Sequence, residues 1–137
     1  MGVKTAFLNG VIQEDVYIEQ PEGFELHGSD SHVCTMKKAL YGLKQVPRAW
    51  YERINAYLQK LGFQKSDADL NLHFILVGND PLIMALYVDD LFIIGEDSLI
   101  QHCKKDLDSE FDMIDMGLMH YFLGMEVWQE HGHIFVG

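Results

Sequence analysis

Tyr87-Val88-Asp89-Asp90 sets two acidic side chains side by side between the apolar runs at residues 82–86 and 91–94. Two like charges ~4 Å apart repel by ~4 kcal/mol at an effective dielectric of about 20. At the tip of an apolar hairpin such a pair is costly unless a cation divides it. Carboxylate oxygens are hard ligands suited to Mg²⁺ or Mn²⁺, and Mg²⁺ held by one or two carboxylates plus substrate phosphates is the usual arrangement in phosphoryl transfer. The competing reading is a turn facing solvent, because Asp is a common turn residue.

Other clusters carry less chemistry. Asp67, Asp69 and Asn71 imitate the start of a calcium loop, but Leu72 stands where the sharp turn needs Gly and Gly78 where a bidentate Glu belongs. His102-Cys103 with His131 and His133 lacks the close ligand pairs of a zinc site, and Cys103 falls on an apolar helical face, which reads as a buried thiol. Cys34 and Cys103 have no CxxC spacing and read as free thiols in a reducing compartment.

A basic segment offers a second kind of chemistry. Lys37, Lys38, Lys44, Arg48, Arg53, Lys60 and Lys65 are interleaved with Tyr41, Trp50, Tyr51 and Tyr57. Cations beside aromatics suit phosphates and stacked bases. For 53–65 a solvated helix face over core aromatics reads equally well. The formal charge of −11 argues against nucleic acid when taken whole. Its distribution does not: residues 1–36 sum to −5, 37–65 to +6 and 66–137 to −12.

The elements that must position these groups follow from pattern. The 137 residues, 48% hydrophobic and 12% aromatic, predict one packed domain. Residues 3–7 read as a strand closed by the turn pair Asn9-Gly10, and 16–18 and 33–37 as short strands amid loops. Pro47 suits the first turn of a helix carrying Trp50, Ile54, Tyr57, Leu58 and Leu61 on one face, stopped at Gly62. Residues 72–77, 82–87 and 91–94 read as strands, 96–111 as a helix with Ser98 as a cap candidate, and 120–128 as a last strand. The order predicts an α/β (α+β) fold, a split βαβ sheet with helices packed on one face. No apolar run reaches the roughly 18 residues of a membrane span, and no secretory signal opens the chain, so a protein inside the cell is expected.

Five ordered stretches then carry a resemblance: Val3-Lys4-Thr5-Ala6-Phe7-Leu8-Asn9-Gly10, Val16-Tyr17-Ile18-Glu19-Gln20-Pro21-Glu22-Gly23-Phe24, Leu40-Tyr41-Gly42-Leu43-Lys44-Gln45-Val46-Pro47-Arg48-Ala49-Trp50-Tyr51, Leu86-Tyr87-Val88-Asp89-Asp90-Leu91 and Tyr121-Phe122-Leu123-Gly124. Together they resemble the reverse transcriptase of copia-type LTR retrotransposons over essentially the whole chain. The resemblance implies RNA-directed DNA synthesis, in which a primer 3′-hydroxyl attacks the α-phosphate of a deoxynucleotide between two metal ions. It implies Mg²⁺ or Mn²⁺ on Asp89 and Asp90, with an RNA or DNA template-primer and a dNTP as partners. Phe7 would exclude a ribose 2′-hydroxyl, and Tyr41 and Gly42 would lie against the nucleotide. Lys44 and Arg48 would contact the template, and Tyr121, Phe122, Leu123 and Gly124 would lie near the primer end.

One position departs from the pattern. The family has an Asp directly before Val-Lys-Thr-Ala-Phe, the third catalytic carboxylate, and this chain has Gly2. Weak metal binding and severe or complete loss of polymerisation are the expectation. Residues 1–137 read as a palm region without the upstream fingers or the downstream thumb and RNase H parts, in the cytoplasm, within virus-like particles, or in the nucleus. An RNA-recognition module is disfavoured, because no strand reads Lys/Arg-Gly-aromatic-Gly-aromatic. A structural remnant that binds no metal is the remaining rival.

Overall fold

The computed structural model describes residues 1–12, 14–25, 28, 32–38, 42–122, 124–130 and 132–137. Its strands are β1 (Gly2–Val3), β2 (Tyr17–Ile18), β3 (Cys34–Thr35), β4 (Gln64–Lys65), β5 (Leu72–Val77), β6 (Asp80–Tyr87), β7 (Asp90–Ile94), β8 (Met113–Ile114), β9 (Tyr121–Phe122), β10 (Met125–Glu130) and β11 (His133–Val136). Its two α-helices are α1 (Val46–Lys60) and α2 (Asp97–Glu110).

Helix α1 forms because its apolar residues recur on one face, and it ends where the sequence says it must. Gly62 takes φ 97°, its N–H donates to Gln59 O at 3.0 Å and Phe63 N–H donates to Leu58 O at 3.0 Å. This is a Schellman ending, which needs a residue free to turn left-handed. Helix α2 starts differently from expectation. Glu96, not Ser98, is the N-cap, and its carboxylate accepts from Ser98 N and Leu99 N. The Ser98 hydroxyl also donates to that carboxylate, and it, more than the two backbone bonds, holds the Glu96 carboxyl below its ordinary value.

The main sheet has the order β4-β5-β6-β7-β1-β8. β1 is antiparallel to β7, and β7 is antiparallel to β6, so β1 and β6 run parallel with β7 between them. That is the expected split βαβ, β1-α1-β6, and the fold is α+β. Alternate residues of a strand share a face. Leu82, Met84 and Leu86 of β6 and Leu91 of β7 share one core with Trp50, Ile54 and Leu58 of α1 and Cys103 and Leu107 of α2. Both helices therefore cover the same face, each large apolar side chain contributing about 1.5–3 kcal/mol by burial. His73, fully buried, is paired through Nε2 with Asn55 Oδ1 at 2.9 Å. Burial pushes the Cys103 thiol up to about 11, as expected of a core cysteine.

Three local expectations fail. The strand at 3–7 stops after Val3: Thr5 takes φ 47° and the chain coils into a 3₁₀ turn, Ala6–Asn9, that buries Ala6. Gly10 is not a hairpin turn residue. Its backbone is extended, and a Cβ there would lie 2.9 Å from Trp50 N and 3.0 Å from Ala49, so glycine serves the close approach of α1. The strand at 120–128 is divided by Gly124 into β9 and β10, and β10 continues into a hairpin with β11 in a separate sheet, β11-β10-β9. Among the described residues no helix is long and apolar enough to cross a membrane.

Candidate active site

Tyr87 pairs with Asp90, so Val88 and Asp89 form a two-residue connection between β6 and β7. Val88 takes φ 55°, and Asp89 is not among the left-handed residues, the φ signs of a type II′ turn. Such turns want glycine at the first central position. A β-branched residue there costs about 1–3 kcal/mol and persists only when its surroundings impose it. Two bonds from other elements do so. The indole Nε1–H of Trp50 in α1 donates to Val88 O at 2.6 Å, and Val3 N–H of β1 donates to Asp89 O at 2.8 Å.

Strand β1 brings Gly2 opposite Asp90 on one side and Ile114 on the other. A Cβ built on Gly2 would lie 3.3 Å from Asp90 Oδ1 and 3.3 Å from Met116 Cε. The position singled out by motif mismatch is thus a direct neighbour of the carboxylate pair. Burial pushes the Asp90 carboxyl above its ordinary value, and the adjacent Asp89 charge pushes it further. Asp89 itself is exposed. Among the described residues no three His, Cys, Asp or Glu side chains gather to hold an ion. The donor set is two hard carboxylates, which fits one ion completed by water or substrate phosphate, not a closed protein cage.

The remaining residues separate into groups. Gly42, Lys44 and Arg48 line one open groove with Val11, Ile12 and Glu14 at the start of α1. Lys44 is exposed there, while Arg48 Nε donates to Glu52 Oε1 at 2.8 Å, a bond that raises its already high pKa. Phe7 sits on the 3₁₀ turn, partly buried against the main core. Phe122 meets the hairpin: its ring stands edge-on to Tyr87 at 6.4 Å and to Phe92 at 4.8 Å. Tyr121 is exposed and donates its hydroxyl to Glu126. Gly124 follows in the turn at φ 82°. Tyr41 and Leu123 lie outside the described residues.

Two outcomes bear on the basic segment. Arg53 pairs with Glu110 and lies over the Phe111 ring at 5.2 Å, and Lys65 lies over Tyr51 at 4.8 Å, so these cations are used within the fold. Trp50 is the residue that spacing undervalued. Its periodicity with Ile54 and Leu58 reads as plain core, but a buried indole N–H needs an acceptor, and that requirement was the available signal.

Comparison with known proteins agrees with the motifs. The family described as "Reverse transcriptase (RNA-dependent DNA polymerase)" matches residues 1–136. The chain is 43% identical over 132 residues to the retrovirus-related Pol polyprotein from transposon TNT 1-94 of Nicotiana tabacum, covering 95% of this chain and 10% of that protein. It is 42% identical over 127 residues to that from transposon RE1 of Arabidopsis thaliana, covering 92% and 9%. It is 40% identical over 127 residues to that from transposon RE2 of the same plant, with the same coverage of 92% and 9%. The chain thus spans about a tenth of the length of these curated relatives. No solved structure matches.

Proposed function

The chain belongs to the reverse transcriptase family, the RNA-dependent DNA polymerases, with relatives in copia-type transposon Pol polyproteins, and from that footing we propose that it is the palm portion of such an enzyme. Asp89 and Asp90 are its metal-binding carboxylates. Mg²⁺ or Mn²⁺ bound there with substrate phosphates would stabilise charge on the attacking and leaving oxygens. Phe7 limits the sugar, Tyr41 and Gly42 border the nucleotide, and Lys44 and Arg48 meet template phosphates. Tyr121, Phe122, Leu123 and Gly124 border the primer end. The working compartment is the cytoplasm, within a virus-like particle, or the nucleus.

Gly2 removes one carboxylate from this constellation, so polymerisation is lost. The observation that supports this is the 3.3 Å separation between a Cβ at Gly2 and Asp90 Oδ1, which would put an Asp at this position within reach of the same ion. Mn²⁺ titration tests the reading. The native chain binds weakly, Asp89→Asn abolishes binding, and Gly2→Asp strengthens it. Within a Pol polyprotein carrying this segment, Gly2→Asp restores primer extension on an RNA template; equal extension by the Gly2 form would overturn the proposed defect. A structural remnant is the second reading, favoured by the absence of a three-ligand cluster among the described residues. No Mn²⁺ binding at millimolar metal would establish it.

A further inference from the structure

Trp50 is 2% exposed and its ring stands edge-on to Phe111 at 5.4 Å. Packing of that kind needs a ring and no polar atom. The indole nonetheless spends its N–H on Val88 O, 38 residues away, at 2.6 Å. That carbonyl belongs to the rigid peptide plane joining Val88 to Asp89. On the other side, Asp89 O belongs to the plane joining Asp89 to Asp90, and Val3 N–H holds it at 2.8 Å. Both peptide planes that flank Asp89 are therefore pinned from outside the hairpin, one by α1 and one by β1. The hairpin cannot supply this itself, because Val88 is left-handed at φ 55° without glycine's freedom.

We propose that Trp50 is a positioning residue for the carboxylate pair: its N–H fixes the Val88–Asp89 peptide and thereby the direction from which Asp89 and Asp90 meet a divalent cation. The close seating of α1 over Gly10, where a Cβ would stand 2.9 Å from Trp50 N, sets where that N–H is delivered. The metal half of this proposal rests on the proposed function; the turn half does not.

The test replaces the donor and keeps the ring, by Trp50→Phe or, where that variant does not fold, by benzothienylalanine, which preserves the bicycle and lacks the N–H. Amide exchange of Val3 reports on the turn, because its N–H is bound to Asp89 O, and amides of the β5–β6 ladder serve as internal controls. Losing one hydrogen bond should speed Val3 exchange and raise the Mn²⁺ dissociation constant, each by about two- to tenfold, with the ladder unchanged. In a Val88→Gly background the same replacement has a smaller effect, since the turn then needs no outside restraint. Unchanged Val3 exchange in a folded variant overturns the proposal, and so does unchanged Mn²⁺ affinity where the native chain binds the ion. If the native chain binds no Mn²⁺, the metal reading of the hairpin falls, and Val3 exchange alone decides whether Trp50 fixes the turn.

Discussion

Two hairpins of the main sheet invite direct comparison. β5 and β6 are joined by Gly78-Asn79, between the paired Val77 and Asp80; β6 and β7 are joined by Val88-Asp89, between the paired Tyr87 and Asp90. Each is a two-residue turn whose first central residue is left-handed, at φ 66° and 55°. Each is followed by an aspartate. They differ in how the left-handed backbone is obtained. Gly78 adopts it freely, with nothing within 4 Å of where a Cβ would stand. Val88 adopts it under strain, tied by Trp50 and flanked by the Val3–Asp89 bond. A turn that makes itself is free to drift relative to the core. A turn made by its neighbours is indexed to them, and strain located there is what a site needing fixed carboxylates would keep.

The largest break in this comparison comes from Trp50→Ala. It removes the edge-on packing with Phe111 and the bond to Val88, and should cost about 3–5 kcal/mol in urea denaturation. No substitution within Gly78-Asn79 should approach that. Gly78→Val comes next, since it forces on the free turn the strain that Val88 bears without giving it a partner. About 1–2 kcal/mol of destabilisation is expected. The reverse exchange, Val88→Gly, relieves strain but adds unfolded-chain entropy, so its net effect should stay within about 1 kcal/mol. Equal costs for the two exchanges would erase the distinction between the turns.

The same contrast explains what was legible in the sequence. The two helices and β5 to β7 follow from apolar periodicity, because their cores repeat at fixed intervals and their ends carry Pro47, Gly62 and Gly78. The α+β order and the position of Gly2 beside Asp90 were also readable, the first from element order and the second from a motif. What periodicity cannot carry is any feature decided by contact between distant segments. Gly10 looks like a turn residue until α1 is placed against it. Among the described residues β11 pairs only with β10, and all four of its residues are exposed, so it lacks the alternation that marks a half-buried strand. Glu96 outcompeted Ser98 as the cap of α2 because a carboxylate two residues upstream reached two backbone N–H groups at once.

The smallest expected effect separates the two aspartates that follow the turns. Burial, and then the charge of Asp89, push the Asp90 carboxyl above its ordinary value. The folded chain therefore holds this proton more tightly than the unfolded chain does. The stabilisation is fully present below the unfolded carboxylate value and is lost as pH rises through the folded one. At neutral pH the ionised Asp90 is a standing cost. Asp90→Asn should accordingly raise stability at neutral pH and give no gain in acid, read from urea midpoints across the carboxylate range. Asp80→Asn is the matched comparison, because Asp80 is exposed and preceded by neutral Asn79. If it yields the same gain, the effect belongs to the net charge of −11 and not to the surroundings of Asp90. A gain confined to Asp90→Asn assigns the cost to the partly buried setting of Asp90 beside Asp89 at the strained turn, which is where a bound divalent cation would offset it.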